Sequence, residues 1–209
     1  MSLTIDAGLR RPIVYAGAPS SGKTVLGDEI IRNGWDVMAS DSLQSGVVEK
    51  MLHAPRFYSE SGFKNAVDQY FFLYDDKLKR TLSNGNNNVL FVEGTYVDFA
   101  AMLKYRKQEI PEYLLDAIEE MREKMHITLV FFLKMPPNEY KKRIMETESI
   151  SNIRMQGEKR INDAVQSALD FESVLRDNYK NFGFCLHEIE PGTPEERLRI
   201  IRNEISDQF

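Results

Sequence analysis

The feature that most constrains this chain is a glycine-rich stretch near its amino terminus, Val14–Thr24, with the pattern G-x-x-x-x-G-K-T. Gly17 and Gly22 let the backbone turn tightly and direct several N–H groups at one anion. Lys23 adds a positive charge suited to the β- and γ-phosphates of a nucleotide, and the Thr24 hydroxyl can hold Mg²⁺. The residues between the two glycines are also expected to hold the phosphates; they are Ala18, Pro19, Ser20 and Ser21.

The flanking residues place this stretch between a strand and a helix. Pro12–Ala16 is short, apolar and partly β-branched, which predicts a buried strand. Val25, Leu26, Glu29 and Ile30 recur at helical spacing, and Gly34 is expected to end that helix. Strand, glycine loop and helix in this order are the context in which the pattern binds nucleotides. The chain therefore resembles the P-loop nucleotide-binding proteins, which implies ATP and Mg²⁺ as ligands.

Four further strand patterns alternate with helical patterns along the rest of the chain. The strands are predicted at Trp35–Ala39, Val89–Val92, Ile127–Leu133 and Phe184–Ile189. The main helices are predicted at Ser59–Leu82, Val97–Lys107, Pro111–Met125, from Pro137, from Ile161 to about Asn181, and from Thr193. Such alternation predicts a three-layer α/β fold, with a five-stranded parallel sheet covered by helices on both faces. We expect one domain over residues 1–209, with a helical insertion at about 95–126 that covers the acceptor site or forms a homodimer surface.

Two carboxylates follow predicted strands, at the edge where open α/β sheets bind ligands. Many P-loop kinases use a carboxylate at the position of Asp41 to contact or deprotonate the acceptor, so Asp41 is a candidate base. The alternative for Asp41 is an N-cap of the next helix. Glu93 closes an apolar strand and so resembles the second nucleotide-binding motif of the superfamily, which steadies Mg²⁺. Most members have Asp there, and contact with the acceptor or a capping role are the alternatives for Glu93.

A basic stretch at about 149–160 lies between two predicted helices. It resembles the lid of nucleoside monophosphate kinases, in which arginines close over the transferring phosphoryl group. The resemblance implies that Arg154 and Arg160 neutralise the charge that spreads over the phosphoryl oxygens in the transition state. It also implies that Arg143 lies near the nucleotide. The alternative is a solvated basic segment.

The order of elements from Ile127 onward resembles nucleoside monophosphate kinases and related small-molecule kinases. That resemblance implies an ATP-dependent kinase that transfers the γ-phosphoryl group to a nucleotide, a nucleoside or another hydroxyl compound. A second resemblance, to adenylate and tRNA isopentenyltransferases, rests on Asp41-Ser42-Leu43-Gln44 and on Glu93-Gly94-Thr95. It implies a P-loop transferase acting on adenine. A non-kinase ATPase is the third class, although the guanine-reading Asn-Lys-x-Asp is absent.

Composition excludes several other classes. The net charge of −5, from 27 basic and 32 acidic residues, argues against bulk binding of nucleic acid. The single cysteine, Cys185, cannot form a disulfide within the chain, which suits a reducing cytoplasm. No apolar run is long enough to span a membrane, and the amino terminus lacks a signal-peptide apolar region. We therefore expect a cytoplasmic protein whose partners are a nucleoside triphosphate and a small-molecule acceptor.

Overall fold

The computed structural model describes residues 10–39, 60–84, 88–146 and 158–206. Its five strands all run parallel in the order β2-β3-β1-β4-β5, which confirms the predicted five-stranded parallel sheet. The strands are β1 (Arg11–Ala16), β2 (Asp36–Met38), β3 (Val89–Glu93), β4 (Leu129–Leu133) and β5 (Cys185–Ile189). The helices of the described ranges are α1 (Lys23–Arg32), α2 (Glu60–Ser83), α3 (Tyr96–Tyr105), α4 (Glu112–Lys124), α5 (Pro137–Glu146), α6 (Glu158–Asn181) and α7 (Pro194–Ser206).

The central strand β1 shows how the sheet divides the core into two layers. Side chains alternate across a strand, so Val14 and Ala16 face one layer while Ile13 and Tyr15 face the other. The first layer is built by α2, α3, α4 and α6, and the second by α1 and α7. Helices on both faces of a parallel sheet confirm the predicted three-layer α/β fold.

Aromatic side chains fill much of the first layer. One face of α2 is apolar and buried, and its rings pack against those of α3 and α4. Phe71 contacts Tyr96, Phe99 and Tyr113, with ring centroids 5.0–6.1 Å apart. These aromatics therefore belong to the core.

Some element boundaries differ from the sequence prediction. Strand β2 has only three residues, and Trp35 lies before it, edge-on to Phe91 at 6.0 Å between ring centroids. Helix α6 begins at Glu158, so Arg160 lies in its first turn and not in a connecting segment. The helix predicted at Ser59–Leu82 spans Glu60–Ser83, and the two helices predicted between β3 and β4 are present. No helix in the described ranges is long and apolar enough to cross a membrane.

Candidate nucleotide-binding site

The loop after β1 has an unusual backbone conformation. Ser20 and Gly22 both adopt the left-handed region, with φ of 66° and 93°. The N–H of Ser21 donates to the carbonyl of Ala18 at 3.1 Å, and helix α1 begins with the bond from Leu26 N–H to the Gly22 carbonyl at 3.0 Å. Left-handed residues of this kind turn successive N–H groups to one side and form a concave anion-binding nest. The partial positive charge at the amino terminus of α1 faces the same region.

Gly17 is required by space rather than by its backbone angles. A Cβ added there would lie 2.5 Å from the Ser21 Oγ and 2.9 Å from the carbonyl oxygen of Leu133 at the end of β4. Both distances are shorter than any ordinary carbon contact, so only glycine allows the loop to lie this close to β4. The Ser21 hydroxyl itself is fully buried, and it neither donates nor accepts a hydrogen bond within the described residues.

The side chain of Lys23, which the sequence predicts to bind phosphate, lies across the loop. Its Nζ donates to the carbonyl of Gly17 at 2.8 Å and to that of Ala18 at 3.1 Å. An ammonium group held by two neutral carbonyls can exchange them for phosphate oxygens, which form stronger charge-assisted bonds. The structure thus places the charge of Lys23 against the part of the loop that contains Gly17 and Ala18.

Glu93 is brought beside this loop by the register of the sheet. It pairs with Tyr15 in the β1–β3 ladder, and the N–H of Gly94 donates to the Tyr15 carbonyl at 2.9 Å. Its side chain is buried, with 2% of the residue exposed. Asp41, the other predicted carboxylate, lies outside the described residues.

The donors near this loop fit a magnesium ion. Thr24 is exposed in the first turn of α1, and Glu93 supplies a buried carboxylate, so both offer the hard oxygen ligands that Mg²⁺ prefers. Within the described ranges, no group of three or more acidic, histidine or cysteine side chains forms a metal cluster. A bound Mg²⁺ would therefore take its remaining ligands from phosphate oxygens and water, as is usual for this ion.

A buried polar network next to Glu93 was not predicted. Tyr179 of α6 donates its hydroxyl to the Asp98 carboxylate at 2.5 Å and shares a 2.9 Å hydrogen bond with the Thr95 hydroxyl. The Thr95 N–H donates to the same Asp98 oxygen at 2.8 Å and completes a capping box at the start of α3. Nearby, the Tyr74 hydroxyl donates to the Gly94 carbonyl at 2.8 Å. The spacing Thr95-x-x-Asp98 is a capping-box pattern that could have identified Asp98 from the sequence.

Burial is the main influence on the acidity of this network. Desolvation raises the pKa of Asp98, and the hydrogen bonds from Tyr179 and from the Thr95 N–H, with the charge of Lys23, offset part of that rise. Burial and the negative charge of Asp98 raise the pKa of Tyr179 well above its ordinary value.

Two arginines donate hydrogen bonds to backbone carbonyls of the loop. Arg143 of α5, predicted to lie near the nucleotide, donates to the Ser20 carbonyl at 3.2 Å. Arg197 of α7 donates to the Ser21 carbonyl at 2.7 Å, and burial followed by repulsion from Arg143 lowers its pKa. Sequence reasoning missed Arg197, although an arginine in line with the apolar Ile201 and Ile205 is an unusual residue for a buried helix stripe.

For the two predicted lid arginines, the structure describes only the backbone of Arg160. Arg154 lies outside the described residues. The backbone of Arg160 belongs to the first turn of α6, and its side chain is not described.

Several solved structures with a similar fold are kinases. The chain matches a deoxyadenosine kinase from M. mycoides at 12% identity, with a TM-score of 0.61 over 94% of this chain and 99% of that one. It matches a shikimate kinase from Acinetobacter baumannii at 13% identity, with a TM-score of 0.57 over 97% of both chains. It also matches a thymidylate kinase from Candida albicans at 9% identity, with a TM-score of 0.54 over 96% of this chain and 93% of that one. These likenesses establish the fold.

Sequence comparison supports the same superfamily. No curated protein matched the chain at a significant level. The family described as AAA domain matches residues 12–197, a range that includes the whole glycine loop, Glu93 and Arg197. The chain therefore belongs to the AAA domain family of P-loop proteins and has the fold of the nucleoside and small-molecule kinases.

Proposed function

We propose that the protein is an ATP-dependent kinase that transfers the γ-phosphoryl group to a small-molecule acceptor, which is a nucleotide, a nucleoside or another hydroxyl compound. One observation carries this proposal. Lys23, held across an anion nest, and Glu93, a buried carboxylate, lie at the ends of two neighbouring central strands. A phosphate-binding cation beside a carboxylate suits positioning of a hydroxyl for phosphoryl transfer.

The similar structures support a kinase over the other classes of P-loop protein. The deoxyadenosine kinase was solved with dCMP and dCDP, and the shikimate kinase with shikimate. Both are covered almost entirely by this chain. A kinase built on this fold would accept a small molecule at the carboxyl edge of the sheet.

The proposed reaction is an in-line displacement at the γ-phosphorus. The acceptor oxygen forms a new bond to phosphorus while the bond to the β–γ bridging oxygen breaks, so that ADP leaves. Asp41, helped by Glu93, orients the acceptor hydroxyl or receives its proton. Lys23 and the loop N–H groups hold the phosphates in place. When bound, Mg²⁺ at Thr24 and Glu93 would neutralise charge on the β- and γ-oxygens.

Arginines complete the proposed site. Arg154 and Arg160 would balance the charge that spreads over the transferring group, and Arg143 would hold the loop beside the nucleotide. In this proposal residues 149–160 form a lid over a single domain. The helices α3 and α4 form the insertion that flanks the acceptor.

The test is acceptor-dependent formation of ADP. Purified protein is incubated with Mg-ATP and a panel of nucleosides, nucleotides, sugars and amino alcohols, and the phosphorylated product is identified by mass spectrometry. We expect one acceptor class to raise ADP formation, and Lys23→Ala to abolish it. Lys180→Ala is the matched control, because Lys180 is exposed near the end of α6.

Two results would replace this proposal. Hydrolysis of ATP that no acceptor accelerates and that yields only ADP and phosphate would make the protein an ATPase. Transfer of a prenyl group from dimethylallyl pyrophosphate to AMP or tRNA would make it an isopentenyltransferase. Both reactions are measured on the same preparation as the kinase assay.

A further inference from the structure

Arg197 joins three separate segments around the phosphate loop. Its guanidinium donates to the carbonyl of Ser21 at 2.7 Å, of Lys134 at 3.1 Å and of Glu190 at 3.4 Å. These carbonyls belong to the phosphate loop, to the residue after β4 and to the residue after β5. One side chain therefore fixes the loop to the ends of two strands.

Within the described ranges, this arginine is a buried cation whose hydrogen bonds all go to backbone carbonyls. The residue is 3% exposed, and within the described residues its contacts go to backbone carbonyls and to no carboxylate. Nearby, Glu188 and Glu190 direct their carboxylates to Lys134 instead. A buried charge without a counter-ion is costly, because neutral dipoles replace hydration only in part.

A second guanidinium lies against the same loop. A Cβ added at Gly22 would lie 2.7 Å from Nη1 of Arg143 and 3.2 Å from Nη1 of Arg197, so both groups contact the residue before Lys23. Three cationic side chains thus surround one loop, and two of them are close enough to repel each other. The arrangement favours an anion with several negative charges, which a polyphosphate supplies.

The direction of the Arg197 contact determines where the loop N–H groups point. In a trans peptide the C=O and the following N–H point in opposite directions, and all described peptide bonds here are trans. Because the Ser21 carbonyl points at Arg197, the N–H of Gly22 points away from Arg197. Arg143 holds the Ser20 carbonyl in the same way, and the N–H of Ser21 accordingly points to the Ala18 carbonyl across the loop.

We infer that Arg197 is a positioning residue of the nucleotide site, which turns the Gly22 N–H toward the phosphate chain and supplies positive charge that a bound polyphosphate balances. The inference rests on the proposed nucleotide site and adds to it a residue from the last helix, 176 positions after Ser21. A lysine at this position would keep the charge but could not hold three carbonyls from a planar fork.

Binding of inorganic tripolyphosphate, ATP and adenosine tests this role. Affinities are measured by titration calorimetry for wild type, Arg197→Gln, Arg197→Lys and Arg199→Gln, at a temperature where each variant is folded by circular dichroism. We expect Arg197→Gln to weaken tripolyphosphate and ATP by about 10- to 100-fold, as expected for hydrogen bonds from a charged group. Arg197→Lys should be intermediate, and adenosine should bind all four proteins equally. Arg199→Gln is the matched control, because Arg199 is exposed on the same helix.

The outcomes separate this inference from the proposed function. A wild type that binds neither tripolyphosphate nor ATP overturns the nucleotide site, and this inference with it. A wild type that binds both, with unchanged affinities in Arg197→Gln, overturns the positioning role alone and leaves the nucleotide site in place. If Arg197→Gln does not fold, the lysine variant decides, and wild-type affinity for tripolyphosphate in that variant overturns the role.

Discussion

Replacing Tyr179 by phenylalanine removes one hydroxyl from the buried network beside the phosphate loop. That hydroxyl donates to the Asp98 carboxylate at 2.5 Å and contacts the Thr95 hydroxyl at 2.9 Å, while the ring is fully buried and stays in place. A hydrogen bond to a charged group contributes about 1.5–3 kcal/mol. We therefore expect Tyr179→Phe to lower the free energy of unfolding by about 2 kcal/mol at pH 7. For a chain of this size, the melting temperature falls by about 4–8 °C.

The loss should depend on pH in a defined direction. Burial raises the pKa of Asp98 in the folded protein, and the bond from Tyr179 offsets part of that rise. An acid with a raised pKa in the folded state destabilises that state above this pKa, and the penalty disappears as the pH falls below the pKa of the unfolded chain. Without the hydroxyl the pKa of Asp98 rises further. The variant should therefore lose most stability at pH 7 and less near pH 4.

Urea denaturation of wild type and Tyr179→Phe at pH 7 and near pH 4 measures both effects. Tyr105→Phe is the control, because Tyr105 also contacts α6. Its hydroxyl is exposed, and its hydrogen bond to the Ser167 carbonyl is long, at 3.5 Å. A loss of the same size at both pH values would refute the role of Asp98 ionisation. A Tyr179→Phe variant as stable as Tyr105→Phe at pH 7 would refute the network's contribution altogether.

Three further substitutions test the phosphate loop and the lid. Lys23→Ala should weaken Mg-ATP by at least about 10-fold in calorimetric titration and leave the circular dichroism spectrum unchanged, because it removes a charge-assisted contact. Gly17→Ala should lower the free energy of unfolding by about 1–3 kcal/mol in urea denaturation, because the new methyl group overlaps the Ser21 hydroxyl. Arg154→Ala and Arg160→Ala should each lower the turnover rate on the order of 10³-fold in steady-state kinetics, with smaller effects on ATP affinity.

Each of these expectations can fail separately. Unchanged affinity for Mg-ATP in Lys23→Ala would show that the lysine does not face a phosphate. Wild-type stability of Gly17→Ala would show that the loop can move away from β4. Wild-type turnover in both arginine variants would show that the basic segment is a solvated surface without a role in the reaction.

Periodicity and glycine chemistry predicted most of the fold. The strand before the loop, the helix after it and the parallel sheet follow from short apolar runs alternating with amphipathic helices. The sequence also placed Glu93 correctly, because a carboxylate that closes a buried strand of a parallel sheet must lie at its carboxyl edge. Helix α6 was predicted to begin at Ile161, three residues too late. Its first residues, Glu158, Lys159 and Arg160, are charged and so do not contribute to the apolar pattern that predicts a helix.

The missed parts of the site depend on contacts between distant residues. Asp98 and Tyr179 are 81 positions apart, and the register that joins α3 to α6 is set by core packing, which no local pattern encodes. Arg197 illustrates the same limit. Its place on an apolar stripe is visible in the sequence, but the three carbonyls that it meets come from loops whose positions only the folded sheet determines.

The position of Trp35 gives the protein an optical probe of one layer. It is the single tryptophan, and it packs against Phe91 on the face of the sheet that α1 and α7 cover. Its emission therefore reports on the packing beside α1, whereas far-ultraviolet circular dichroism reports on helices of both layers. Coincident unfolding curves from the two signals would show that the layers unfold as one cooperative unit. Different midpoints for the two unfolding curves would reveal a partly unfolded state, in which one layer has lost its packing while the other still packs against the sheet.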